Sequence, residues 1–346
     1  MLKNKGCTVI VVLLGLGIVL GLALVDLYTD WLWFQAMGLA SLLWTRVVTE
    51  WLLFFAAWLV AGGFLFANWQ LARRIAGRGA MAVPWLRQQR VGNRYEAEPT
   101  AQLIAGRAVD RLLIGLAVGL GFFFASPAKA MWLRLLQFIH AVPFGQSDPI
   151  LGHDISFYLF RLPFLKFLQG WFLWLVLFAL GGAALLYLAA LSAERLTARL
   201  QVVDDDLWWL HLSTAAERHL LILGAVALGL FAWGYQLNIP DLLYSSSGAA
   251  YGAGYTDLHA RLPVMQILTW IAALGALILL ASLFVRVRWL PYAAVAAWLI
   301  IAFLGGSLYP GLLQRFVVEP NELTREREYI AHTIEFTRAA FGLDRV

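Results

Sequence analysis

Four residues near the middle of the chain carry side chains that bind metals or exchange protons at short spacing. They are His153 beside Asp154, and Asp257 two positions before His259. Two imidazoles and two carboxylates gathered on one face would make a divalent-metal site. Neither pair has the spacing of a known ligand motif, and each residue serves equally well to cap a turn or meet water, so loop capping is the default reading. His140, Asp148 and Asp241 fall in the same two regions. Other chemistries lack their residues. The chain has no G-x-x-x-x-G-K-[ST], H-E-x-x-H, G-x-S-x-G or G-x-G-x-x-G, so phosphate cradles, zincin sites, nucleophile elbows and dinucleotide folds have no support. A single cysteine, Cys7, excludes an intrachain disulfide framework and any all-cysteine metal centre within this chain. No catalytic residue and no cofactor is expected.

The elements that position these residues follow from composition. Of 346 residues, 61% are apolar and 14% charged, with 16 Trp and 22 Phe. A soluble domain has about 45–50% apolar and about 25% charged residues, so the solvent of this chain is mostly lipid. A helix crosses the roughly 30 Å hydrocarbon layer with about 20 apolar residues. Seven runs qualify or nearly so: 7–25, 47–67, 109–125, 167–191, 220–237, 264–285 and 290–309. The expected fold is an all-α integral membrane bundle of about seven helices over 1–309, with ordered extracytoplasmic loops. An extracytoplasmic tail over 310–346 should contain an amphipathic helix. The first run reads as an uncleaved anchor, because Ala23-Leu24-Val25 is a poor cleavage site.

Basic residues give the orientation. With the N-terminus inside, 15 Lys and Arg lie in inner segments and 6 in outer loops, with five more in the C-terminal tail, in agreement with the positive-inside rule. The net charge of +5 therefore reads as topology, and no nucleic-acid partner is expected. Pumps and voltage sensors place ionisable groups inside the bilayer. Here the apolar cores of the spans contain no Asp, Lys, Arg or His, and Glu50 lies close to a span end.

The inner segment 68–108 holds seven Arg among Gly77, Gly79, Pro84, Gly92 and Pro99, and reads as a surface loop against anionic headgroups. In the outer segment 126–163, Lys129, Arg134, Gln137 and His140 share one arc of an interfacial helix. The second outer loop, 238–262, contains Gly252-Ala253-Gly254-Tyr255-Thr256-Asp257 and should be ordered, packing against the first. Asp204, Asp205 and Asp206 read as an inner helix start. Paired small residues such as Gly62 and Gly63, Gly181 and Gly182, and Gly305 and Gly306 suit close helix approach in lipid. In the tail, Ile330, Ile334, Thr337 and Phe341 follow a helical stripe over 322–341, with Gly342 at the expected C-terminal cap.

The loop sequences carry a resemblance. Asp30-Trp31-Leu32-Trp33-Phe34, Phe144-Gly145, Asp148-Pro149, Asp154-Ile155-Ser156-Phe157-Tyr158, Leu162-Pro163-Phe164, the Gly252 to Asp257 run and Leu262-Pro263 occur in order. Tyr309-Pro310, Gln314-Arg315-Phe316, Pro320-Asn321-Glu322, Glu328-Tyr329-Ile330 and Thr337-Arg338-Ala339 follow. Together they resemble the bacterial multi-pass membrane family known as Uncharacterised Protein Family 0182. The resemblance implies a bacterial plasma-membrane protein whose family members commonly continue into a large extracytoplasmic region. On that basis residues 310–346 are expected to begin a further domain.

Three readings of function compete. The first is a non-enzymatic anchor or scaffold for an extracytoplasmic domain or partner, with the lipid bilayer as its other partner. The second is a transporter or channel for an uncharged or lipidic substrate, which needs polar groups such as Tyr187, Gln236 or Ser282 to converge on a cavity. The third is an outer-face metal-dependent enzyme using His153, Asp154, Asp257 and His259.

Overall fold

A computed structural model describes residues 3–77, 81–91, 94–104, 106–200, 213–246, 248, 251–285 and 287–343. Ten α-helices are described: α1 (Lys3–Ala36), α2 (Ala40–Ile75), α3 (Gly106–Ala130), α4 (Trp132–Ile139), α5 (Leu162–Leu200), α6 (Thr214–Asn238), α7 (Leu262–Ala281), α8 (Leu290–Phe303), α9 (Tyr309–Leu313) and α10 (Glu322–Ala340). Among the described residues, six helical stretches are long and apolar enough to cross a membrane. They correspond to the second to seventh expected spans, while the first expected span falls on α1.

The core lies where α2, α3, α5 and α6 meet, around Ala61, Leu65, Trp69, Ala117, Leu175, Ala179 and Leu223. A second cluster joins α6, α7 and α8 through Ala225, Leu228, Ala276, Leu279 and Trp298. Large apolar side chains elsewhere point outward, among them Leu59 at 69% exposure and Trp270 at 74%. In water such surface would be an aggregation hazard; against lipid it is the ordinary exterior.

Small residues set several crossings. One glycine each of the 62/63, 181/182 and 305/306 pairs does so, whereas the pairs Gly17 and Gly21, and Gly115 and Gly119, expected on the same ground, meet no neighbour within 4 Å. A Cβ on Gly121 would lie 3.0 Å from the Gly62 Cα, so the α2 and α3 backbones touch there. The Trp69 indole occupies the place of a Gly182 side chain, and Gly305 meets Val264, whereas Gly63, Gly181 and Gly306 have nothing within 4 Å.

The segment 68–108 departs from the expected loop and from a purely helical fold. Helix α2 runs on to Ile75, and β1 (Met81–Val91) pairs antiparallel with β2 (Arg94–Ile104) in register Trp85 to Thr100 and Leu86 to Pro99. Pro84 and Pro99 are tolerated because both strands of a two-stranded ribbon are edges. The end of the bundle bearing this ribbon is called the hairpin end, and the opposite one the loop end. The expected helix start at Asp204 to Asp206 lies outside the described residues. Helix α6 begins at Thr214, where Ser213 Oγ accepts the Ala216 amide at 3.2 Å.

Candidate functional site

The polar groups at the loop end are organised by two segments of similar build. In each, an α-helix ends, a turn-rich loop follows, and a π-helical turn leads into the next long helix: Phe157–Arg161 before α5 and Asp257–Arg261 before α7. Arg-Leu-Pro recurs at both junctions, as Arg161-Leu162-Pro163 and Arg261-Leu262-Pro263. Each proline stands just after the π-helical turn of an unbroken helical run, where the i→i−4 ladder is already interrupted.

The first loop is closed by its own carboxylates. Asp154 accepts the amides of Phe144 at 3.0 Å, Gly145 at 2.8 Å and Ser156 at 2.8 Å. Hydrogen bonds from Ser156, foremost its side chain, and from the Phe144 amide hold the Asp154 carboxyl down to about 2. Asp148 accepts the amides of Ile150, Leu151 and His153 and the hydroxyl of Tyr158. Burial pushes the Asp148 carboxyl up, but the Leu151 amide, the Tyr158 hydroxyl and the other amides together outweigh it and leave it below its ordinary value. Gly145 and Gly152, at φ 76° and 74°, supply the left-handed turns. The single helix expected to carry Lys129, Arg134, Gln137 and His140 is divided: Lys129 lies in the last turn of α3, while Arg134 and Gln137, 3.3 Å apart, lie on α4 and His140 caps it.

The second loop borrows a carboxylate from the tail. Asp257, fully buried, accepts the Gly254 amide at 3.0 Å and pairs with Arg261 at 2.7 Å. The Tyr255 amide is bound by Glu326 of α10, whose two oxygens lie 3.0 and 3.2 Å away. Glu326 is 2% exposed. Glycine at 254 makes room for it, since a Cβ there would stand 3.0 and 3.1 Å from the Glu326 oxygens. The Tyr255 ring stacks on His259 at 4.0 Å and is covered by the Arg325 guanidinium at 5.1 Å. Thr256 donates to Gln314. Helix α10 is thus seated on the glycine-rich loop by Glu326, Arg325 and the preceding Gln314. Its remaining surface is largely exposed, including Ile334, Phe336 and Phe341. Gly342, at φ 65°, sits where a C-terminal cap was expected.

The two loops touch. Tyr158 and Leu162 form a cluster with Leu237 and Leu243, and Lys166 pairs with Asp241. Glu50, the acidic residue inside a span, pairs with Arg46 at 2.8 Å and Lys129 at 3.6 Å at this same end.

Of the four candidate metal ligands, Asp154 and Asp257 are engaged by backbone amides as above. The His153 ring packs 4.7 Å from Phe157, and His259 lies on Tyr255 with Nδ1 3.1 Å from the Tyr255 carbonyl. Among the described residues, no three His, Cys, Asp or Glu gather in a way that could hold a metal ion.

A second polar site lies toward the hairpin end and joins three helices. Asn68 of α2 donates its amide nitrogen to the Phe64 carbonyl at 2.8 Å, which turns its oxygen toward His219 Nε2 of α6 at 3.2 Å. His219 therefore carries its proton on Nε2, and Nδ1 accepts the Tyr187 hydroxyl of α5 at 2.9 Å. His219 and Tyr187 are both buried. Nearby on α2, buried Arg73 reaches Asp110 at 3.4 Å and the Gly77 carbonyl. Sequence alone places these residues at span margins and gives no sign that they meet. Tyr187, Gln236 and Ser282 do not converge: Gln236 bonds Thr269, and Ser282 bonds the Ile278 carbonyl of its own helix.

Long apolar helices with lipid-facing exteriors, and polar groups kept to internal junctions, define a polytopic helical membrane protein. The family model described as Uncharacterised protein family (UPF0182) matches residues 7–346, and the chain belongs to that family. It is 38% identical to a UPF0182 protein of Synechococcus sp. (strain JA-3-3Ab) over 96% of this chain and 36% of the relative. It is also 37% identical to a UPF0182 protein of Cupriavidus necator over 98% of this chain and 34% of the relative. The chain thus spans about a third of the length of these curated relatives. No solved structure matches it.

Proposed function

We propose that the chain is a non-enzymatic membrane anchor that holds an extracytoplasmic domain or protein partner on α10. The observation that carries this reading is the seat of α10: a buried carboxylate, Glu326, fixes the helix to a glycine-rich loop while the rest of its surface stays open. The excess of basic residues in the segments assigned inside supports an extracytoplasmic loop end in a bacterial cell membrane. The loop carboxylates Asp148, Asp154 and Asp257 are spent on backbone amides, which favours a structural over a catalytic role. The separate partners of Gln236 and Ser282 give the transporter reading no converging polar path.

Affinity purification from native membranes tests the anchor reading. The wild-type chain should retain a defined extracytoplasmic polypeptide that an Ile334→Asp, Phe341→Asp variant loses without losing thermal stability. Equal recovery with both forms would contradict it.

A further inference from the structure

A cleft of about 570 Å³ opens at the loop end between α6, α7 and the helix that continues from α8 into α9. That volume lies within the roughly 300–1,000 Å³ of small-molecule sites. Its deep wall is apolar, with Met265, Leu268 and Ala302; its rim is polar, with Asn238, Asp241 and Arg261. A π-helical turn, Leu304–Leu308, forms one side and carries Gly305 and Gly306. These neighbours do different work. A Cβ on Gly305 would lie 2.9 Å from Val264, so this residue closes the contact with α7, whereas Gly306 lines the cleft with nothing within 4 Å. The site is therefore a slot whose wall lacks a side chain at Gly306.

The rim carries charge of both signs. Arg261 is 36% exposed while pairing with Asp257 and lying 3.3 Å from Ser245 Oγ. Asp241 is 51% exposed while pairing with Lys166. Both residues line the cleft while engaged in these pairs. A guanidinium is suited to a phosphate ester, and a half-exposed carboxylate to an ammonium group. A purely anionic headgroup would meet Asp241, and a purely cationic one would meet Arg261.

We propose that this cleft binds a zwitterionic membrane phospholipid, with its phosphodiester toward Arg261, its amine toward Asp241 and an acyl chain along Met265, Leu268 and Ala302. Native mass spectrometry of the full chain in detergent, titrated with dioleoyl phosphatidylethanolamine or dioleoyl phosphatidylglycerol, tests it. The wild type should retain the ethanolamine lipid about tenfold better than the glycerol lipid, a difference of about 1.4 kcal/mol. Gly306→Leu, whose Cβ has nothing within 4 Å and whose side chain extends into the slot, should cut ethanolamine-lipid retention about tenfold. Gly63→Leu, on the open face of α2, should leave it unchanged. Asp241→Asn should abolish the preference between the two lipids, and it decides the matter alone if Gly306→Leu fails to fold. Equal retention of both lipids by the wild type, or undiminished retention by Gly306→Leu, would overturn the proposal.

Discussion

The Glu326 carboxylate accepts the Tyr255 backbone amide at 3.0 Å, joining residues 71 positions apart. The acceptor is buried, so removing it leaves the Tyr255 N–H without its partner in a place water does not readily reach. That costs about 1–3 kcal/mol. Glu326→Ala should lower the thermal stability of the detergent-solubilised chain by that order and speed hydrogen exchange at Tyr255. Glu326→Gln, which keeps one acceptor oxygen, should lose less.

Gly254→Ala should mimic Glu326→Ala. The added methyl would stand 3.0–3.1 Å from the carboxylate oxygens and push them from the Tyr255 amide. Gly63→Ala, with open space around it, is the control. Melting curves of the three variants are the check, and a Gly254→Ala variant as stable as the control would count against the seat.

The first loop should resist acid further than an ordinary carboxylate allows. Asp154 has a folded pKa of about 2, depressed from an unfolded value of about 3.9. Its contribution is therefore fully present above the unfolded value and is lost as pH falls through the folded one. Pepsin nicking between Phe144 and Phe157 should stay slow at about pH 4 and accelerate toward about pH 2, where Asp154 itself protonates. Asp154→Asn should be nicked at the higher pH.

His219 should be the neutral tautomer with its proton on Nε2, because the Asn68 oxygen faces that nitrogen and the Tyr187 hydroxyl faces the other. Nitrogen-15 spectra of labelled protein read the tautomer directly. Tyr187→Phe leaves Nδ1 unpaired and should destabilise the bundle by about 1–3 kcal/mol.

Orientation is open to chemical labelling. In a Cys7→Ser background, an impermeant thiol reagent applied to whole cells should modify Ile330→Cys and spare Arg90→Cys. The reverse pattern would invert the topology.

Most of the bundle is legible in the sequence, because lipid demands long uncharged runs and leaves few alternatives. The β1–β2 ribbon was hidden: Pro84 and Pro99 look like breakers, yet edge strands accommodate them. The candidate carboxylates were visible as residues but not as partners. Asp154 bonds amides within its own loop, whereas the Asn68–His219 contact spans 151 positions and that of Glu326 spans 71. No local period encodes such contacts. The glycine run at 252–254 gave the one usable sign, a loop built for close approach, without naming what approaches.

If α10 seats polypeptide outside the membrane, Ile334 must meet protein where lipid-facing side chains meet lipid. Photocrosslinking from Ile334 in native membranes, with Leu299 on α8 as the lipid-facing comparison, tests it most directly. Both side chains are exposed. Adducts mapped by mass spectrometry should join Ile334 to a defined polypeptide segment and Leu299 to lipid. Capture of only lipid or water at Ile334 would contradict the anchor account.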